Sequence, residues 1–184
     1  PLFAREVDEP HDAAALEARI AEAVGKSVAQ QIDAGLDVIN DGEMGKVSYA
    51  TYVNGRLTGF EGRTAAPRRP RPDAAAFPAY AEWNLKQQAN SYVIRRFTCN
   101  GPVKYVGQAL LQKDIANLKA ALKGKSPTEV FMTAASPGVI SLFQPNQYYG
   151  TNEEYMEALA LAMREEYEAI VKDRKSTRLN SSHV

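Results

Sequence analysis

Between Asp12 and Ala34, Leu16, Ile20, Val24, Val28 and Ile32 recur at every fourth residue, and a helix with one buried face is what such a stripe specifies. Gly35 supplies the stop. "LDVIN", residues 36 to 40, follows at once; bounded by Gly35 and Gly42 and too short for a helix, it reads as a strand. The alternation then repeats. A helix is expected from about Pro78 to Ala89, a strand in "SYVIRRFTCNGPVKYVG" interrupted by Gly101 and Pro102, and a helix from Gln108 to Lys123 carrying Leu111, Ile115, Leu118 and Leu122. "EVFMTAA" gives a third strand, "SPGVISLFQPNQYYG" a long loop, and "TNEE" opens a last helix in which Thr151 caps and Glu154 completes a capping box. Its inward stripe is Tyr155, Leu159, Met163 and Ile170, and the segment from Ser48 to Leu57 is expected to be helical as well.

Parallel strands need helical crossovers, so strands alternating with helices mean βα units and an α/β fold. Three strands are too few for a closed eight-stranded barrel and suit half of one, or a small open sheet. In either architecture, polar groups just past the strand ends lie where ligands bind.

The 184 residues are 45% apolar and 24% charged, which suits one domain with a core and excludes a disordered or fibrous chain. No run of about 18 apolar residues is present, and no secretory leader is visible, so a cytoplasmic protein without membrane partners is expected. The one cysteine, Cys99, and the two histidines, His11 and His183, cannot form a four-ligand structural zinc site. With neither His nor a second Cys nearby, Cys99 reads as a small buried hydrophobe rather than a thiolate ligand or nucleophile.

The stretch from Gly59 to Ala76, with "RTAAPRRPRPDAAA", reads as a solvated excursion and not a nucleic-acid patch: its arginines are not interleaved with aromatics, and the chain's net charge is +0. Residues 173 to 183, "DRKSTRLNSSH", match the translation of a common sequencing-library adapter. The expectation is therefore a gene fragment, residues 1 to 172, with a non-native tail at 173 to 184. Without that tail the net charge falls to about −2.

Three turns follow the three strands: "NDGE" at 40 to 43, "CNGP" at 99 to 102 and "ASPG" at 135 to 138. Their recurrence points to one shared rim. Glu43 could accept hydrogen bonds from a substrate ammonium, while Asp41 could cap the turn or orient Arg95 or Arg96. A plain polar turn explains the same residues, because Asn, Asp and Gly are favoured there for backbone reasons. Arg95 and Arg96 are adjacent on a strand and point to opposite faces, so one of them can face a carboxylate-bearing substrate, and a surface salt bridge is the alternative. Tyr148, Tyr149 and Tyr155 read as packing for a loop and helix.

"QIDAGLDVINDGEMGKVSYATYVNGRLTGF", then "CNGPVKY", "FMTAASPGVI" and "EEYMEALALAMREEYEAIV", together resemble the barrel domain of the cobalamin-independent methionine synthase family, in its short single-barrel branch, over about residues 12 to 172. The resemblance implies part of a TIM (β/α)8 barrel, approximately the second to fourth βα units. It also implies methyl transfer from 5-methyltetrahydrofolate to the homocysteine thiol, with zinc holding that thiol as a thiolate. On this basis Glu43 contacts the amino group of the amino-acid substrate, Arg95 or Arg96 lies toward the folate, and Ser136, Pro137 and Gly138 form the turn beside the folate pocket. The zinc ligands would lie beyond Lys172, so the fragment is expected to bind no stoichiometric zinc and to be inactive alone. Other thiol alkyl-transferases, a uroporphyrinogen-decarboxylase-like barrel and a non-catalytic ligand-binding barrel are the competing readings. Oligomeric state is left open.

Overall fold

The computed structural model describes residues 2–6, 9–49, 51–60, 75–89 and 97–181. In chain order these form α1 (Leu2–Glu6), α2 (Ala13–Asp33), β1 (Val38–Ile39), a 3-10 turn (Tyr52–Gly55), α3 (Pro78–Ala89), α4 (Gln108–Ala121), β2 (Glu129–Val130), α5 (Pro137–Phe143) and α6 (Asn152–Ser181). Among the described residues no helix is long and apolar enough to cross a membrane.

The first helix-to-strand transition is built as the sequence prescribes. Asp12 caps α2 by accepting the Ala15 N–H at 3.0 Å. At the other end Gly35 takes a φ of +78°, its N–H reaching Ile32 O at 2.9 Å and the Leu36 N–H reaching Gln31 O at 3.1 Å. That double closure is a Schellman motif, and its left-handed residue explains the glycine. The chain is thereby turned back along α2 into β1.

β1 and β2 pair in parallel, Val38 opposite Glu129 and Ile39 opposite Val130, and the Phe131 N–H extends the ladder to Ile39 O. Between them in sequence lie α3 and α4, so the connection is a helical crossover. This small parallel sheet with its helices is compatible with part of an α/β barrel. The three-strand expectation is corrected in one respect. Phe97 to Val106 enters only isolated bridges, Cys99 with Asn146 and Leu57 with Tyr105, because Gly101 and Pro102 break the segment and proline has no N–H for a ladder. Residues 91–96, the first part of that expected strand, lie outside the described residues, as do Arg95 and Arg96 and most of the arginine-rich excursion.

Two more expectations change. Within the expected helix from Ser48 to Leu57, the described residues 48–49 and 51–57 form turns and a 3-10 segment instead, and the loop expected after Ala135 contains α5. The last helix continues through the adapter-like residues to Ser181.

Packing divides the interior into two clusters. Leu16, Ile20, Val24 and Val28 of α2 meet Ile39 of β1 and Leu118 of α4 in one. Tyr155, Leu159 and Met163 of α6 meet Ile140 of α5, Val53 and Cys99 in the other. Tyr155 and Tyr149 stack at 5.7 Å, and Tyr148 meets Tyr149 edge-on, so these rings pack a loop against a helix as their positions indicated.

Candidate functional site

The turn after β1 is fixed from several directions. Gln31 of α2 grips Asn40 twice, its Nε2 donating to Asn40 O at 2.9 Å and its Oε1 accepting the Asn40 N–H at 3.0 Å. Asn40 Oδ1 then accepts the Gly42 N–H at 2.7 Å, and Asp41 Oδ1 accepts the Glu43 N–H at 3.0 Å. These are two successive Asx turns, which bend the chain with side-chain acceptors. Asp41 is buried, only 4% exposed, and it serves the backbone as one of the two roles open to it from sequence.

Gly42 and Glu43 both take left-handed backbones, with φ of +67° and +56°. At Gly42 a Cβ would collide with the Ser27 hydroxyl, so glycine is required by space as well as by φ. Glu43 has no such excuse. A non-glycine residue there costs about 1 kcal/mol, and such strain concentrates at functional positions.

The Glu43 carboxylate accepts a hydrogen bond from the Thr133 hydroxyl, three residues past β2. Lys46 completes the arrangement, donating to Thr133 O at 2.7 Å and to its Oγ1 at 3.1 Å, with its ammonium 4.6 Å from the Tyr52 ring centre. Two strand ends are therefore tied through one threonine, with a carboxylate on one side and an ammonium on the other. Neither Thr133 nor Lys46 was singled out from sequence. Thr133 was visible only as the end of "FMT", and Lys46 only as a cation three residues after Glu43.

Ser136 is the N-cap of α5, its Oγ accepting the Val139 N–H at 3.2 Å, and Gly138 lies in that helix's first turn; both are exposed. Of the "ASPG" turn, Ala135 donates its N–H to Tyr52 OH, while Gly138 lines a separate hollow with Pro145, Asn146 and Tyr155. "CNGP" is held by backbone bonds: Cys99 N–H donates to Pro145 O, Gln147 N–H to Cys99 O, and Asn100 N–H to Gly59 O.

A buried polar network backs this rim. Glu166 of α6, 1% exposed, accepts from Tyr52 OH at 2.9 Å and from Tyr105 OH at 2.7 Å, and pairs with Arg56 at 3.1 Å. Arg56 also bonds Asp114 of α4. Burial works against the Arg56 charge, but Glu166 and Asp114 outweigh it and hold the guanidinium above its ordinary pKa. Burial lifts the Asp114 carboxyl despite Arg56, and burial with Glu166 lifts the Tyr52 phenol. The Ala135 peptide is clamped between two of these rings: its N–H donates to Tyr52 OH at 2.8 Å and its C=O accepts from Tyr167 OH at 2.6 Å. α6 thereby fixes the strand-end turn from behind.

Among the described residues no group of three or more His, Cys, Asp or Glu could hold a metal ion. Cys99 is fully buried, its thiol donates to Gly101 O at 3.4 Å, and burial raises its pKa. These residues do not fit a zinc centre, and no chemistry here runs through one.

No protein-family model matches this chain, and no curated protein does. Among solved structures it superposes on a B12-independent methionine synthase from Shewanella sp. W3-18-1, in complex with selenomethionine, with a TM-score of 0.65 and 18% identity. The two share a fold. The match covers 89% of this chain and 41% of that one, so the chain spans well under half of the enzyme's length. Chemically, the rim offers a carboxylate acceptor held in a strained turn, an ammonium one hydroxyl away, and backbone fixed by half-buried tyrosines.

Proposed function

We propose that a longer polypeptide containing this chain is a methyltransferase of the cobalamin-independent methionine synthase type, passing a methyl group from a methylated folate to the homocysteine thiol. The observation that carries this reading is Glu43. Its left-handed backbone and its bond to Thr133 hold a carboxylate at a strand end, in a fold shared with a B12-independent methionine synthase. In this role the Glu43 carboxylate accepts hydrogen bonds from the substrate ammonium, while Asp41 keeps the turn in shape. Ser136 and Gly138 would border the methyl donor, with Arg95 or Arg96 toward its anionic end. Zinc would require donors other than the residues described here.

The test is to recover the contiguous gene, express the longer protein and follow methionine formation from homocysteine and a methylated folate. Glu43→Gln should raise the KM for homocysteine by roughly ten- to a hundredfold, the loss of one charge-assisted hydrogen bond, with zinc content unchanged. A product lacking any His and Cys donor set, or an unaltered KM, would overturn the reading.

A further inference from the structure

Lys46, Thr133 and Glu43 form a chain in which every hydrogen bond can run only one way. The Lys46 ammonium has donors alone and gives two of them to Thr133, one to the carbonyl at 2.7 Å and one to the hydroxyl oxygen at 3.1 Å. The Glu43 carboxylate has acceptors alone, so the Thr133 hydroxyl proton is directed onto its Oε1. Ammonium, hydroxyl and carboxylate thus line up as donor, relay and acceptor. All three residues are half-buried, where a hydroxyl that accepts from a cation becomes a stronger donor to the next group.

The two ends of this chain belong to one turn. The Lys46 N–H donates to Glu43 O at 2.9 Å, closing the turn through the backbone, and both side chains then reach across to the same threonine beyond β2. The charge of Lys46 is balanced, not spare. It faces Glu43 across one hydroxyl and acts electrostatically on Asp114, which shares a cavity wall with it, while its ammonium lies 4.6 Å from the Tyr52 ring centre. A head held in this way is fixed in place, and it would repel a ligand's ammonium if it met one directly.

We infer that Lys46 is a positioning residue for Glu43, acting through the Thr133 hydroxyl: it ties down Oε1 of the carboxylate and leaves Oε2 to take the ammonium of a ligand. The inference rests on the reading of Glu43 as the acceptor for the substrate ammonium, and adds to it the residues that aim the carboxylate. No covalent step is involved.

The experiment is a double-mutant cycle on the full chain, read at neutral pH from the carboxyl-carbon NMR resonance of Glu43. Lys46→Met keeps the stem without the charge. Thr133→Val removes the hydroxyl but leaves the main-chain carbonyl that also holds the ammonium. The expected result is that each single variant shifts the resonance and that Lys46→Met adds nothing once the hydroxyl is gone. An unmoved resonance in Lys46→Met, or an equal shift with and without the hydroxyl, would overturn the inference, since a plain strut or a through-space charge behaves in that way. Lys46→Gln takes the place of Lys46→Met if that variant does not fold. In the longer, methionine-forming protein, Lys46→Met should raise the KM for homocysteine about three- to tenfold with kcat retained, and an unchanged or lowered KM would also overturn the inference. A longer protein that forms no methionine ends the methyl-transfer reading instead, and the resonance cycle still decides the role of Lys46.

Discussion

Glu43 holds a backbone conformation that glycine adopts freely, and its side chain is spent on one hydroxyl, that of Thr133. Replacing it with glycine removes the strain and that bond together. Glu43→Gly should therefore leave stability within about 1 kcal/mol of the parent, or slightly above it, in chemical denaturation. A loss of several kcal/mol would mean the carboxylate is a structural member and not a poised one. Tyr155 gives a second residue-level prediction. Burial first, then the neighbouring Cys99 and Tyr149, raise its phenol well above the ordinary value of 10.0. A group whose folded pKa is raised adds stability that is complete below its unfolded pKa and is lost as pH rises beyond it. Stability should accordingly fall above about pH 10, and Tyr155→Phe should flatten the fall by about 1.4 kcal/mol per pH unit while losing the 2.8 Å bond to Gln144 O. The roles of Asn40, Asp41 and Gly42 were legible because their partners lie within two residues on the chain. Thr133 and Lys46 were not, since 87 residues separate them and only the closed fold brings them together.

At the scale of elements, the ends that carry their own caps were readable and the short ones were not. Thr151 and Glu154 exchange bonds at 3.1 and 3.3 Å as their spacing promised. Thr151→Ala should cost about 1 kcal/mol, measured by thermal or urea unfolding. α5 escaped notice because seven residues give too little periodicity, although Ser136 followed by Pro137 is itself a helix-start signature. The turns from Ser48 to Leu57 misled for the opposite reason, since apolar spacing there comes from Val53 and Leu57 entering a core by separate turns. α6 bears the largest single liability. Glu166→Ala would leave Arg56 short of a partner and strand two tyrosine hydroxyls, so a loss of about 3 to 5 kcal/mol is expected. Glu166→Gln, which keeps the shape and two acceptable hydrogen bonds, should lose less.

Across the whole molecule, Leu36, Val38 and Phe131 around the two strands are 53%, 47% and 38% exposed, which is heavy apolar exposure for a sheet. The chain should bind a hydrophobic dye such as ANS under native conditions, and Val38→Thr with Phe131→Thr should reduce the signal. The interior, in turn, consists of two separate clusters. One is centred on α2 and β1, the other on α5 and α6, and polar ties such as Lys46 to Thr133 and Arg56 to Asp114 cross between them. Apolar contact holds each cluster together over many side chains, whereas a small number of partly buried polar bonds tie one cluster to the other. Amide hydrogen exchange should therefore release the molecule in two steps, with the protons of α2 and those of α6 escaping through openings of different free energy.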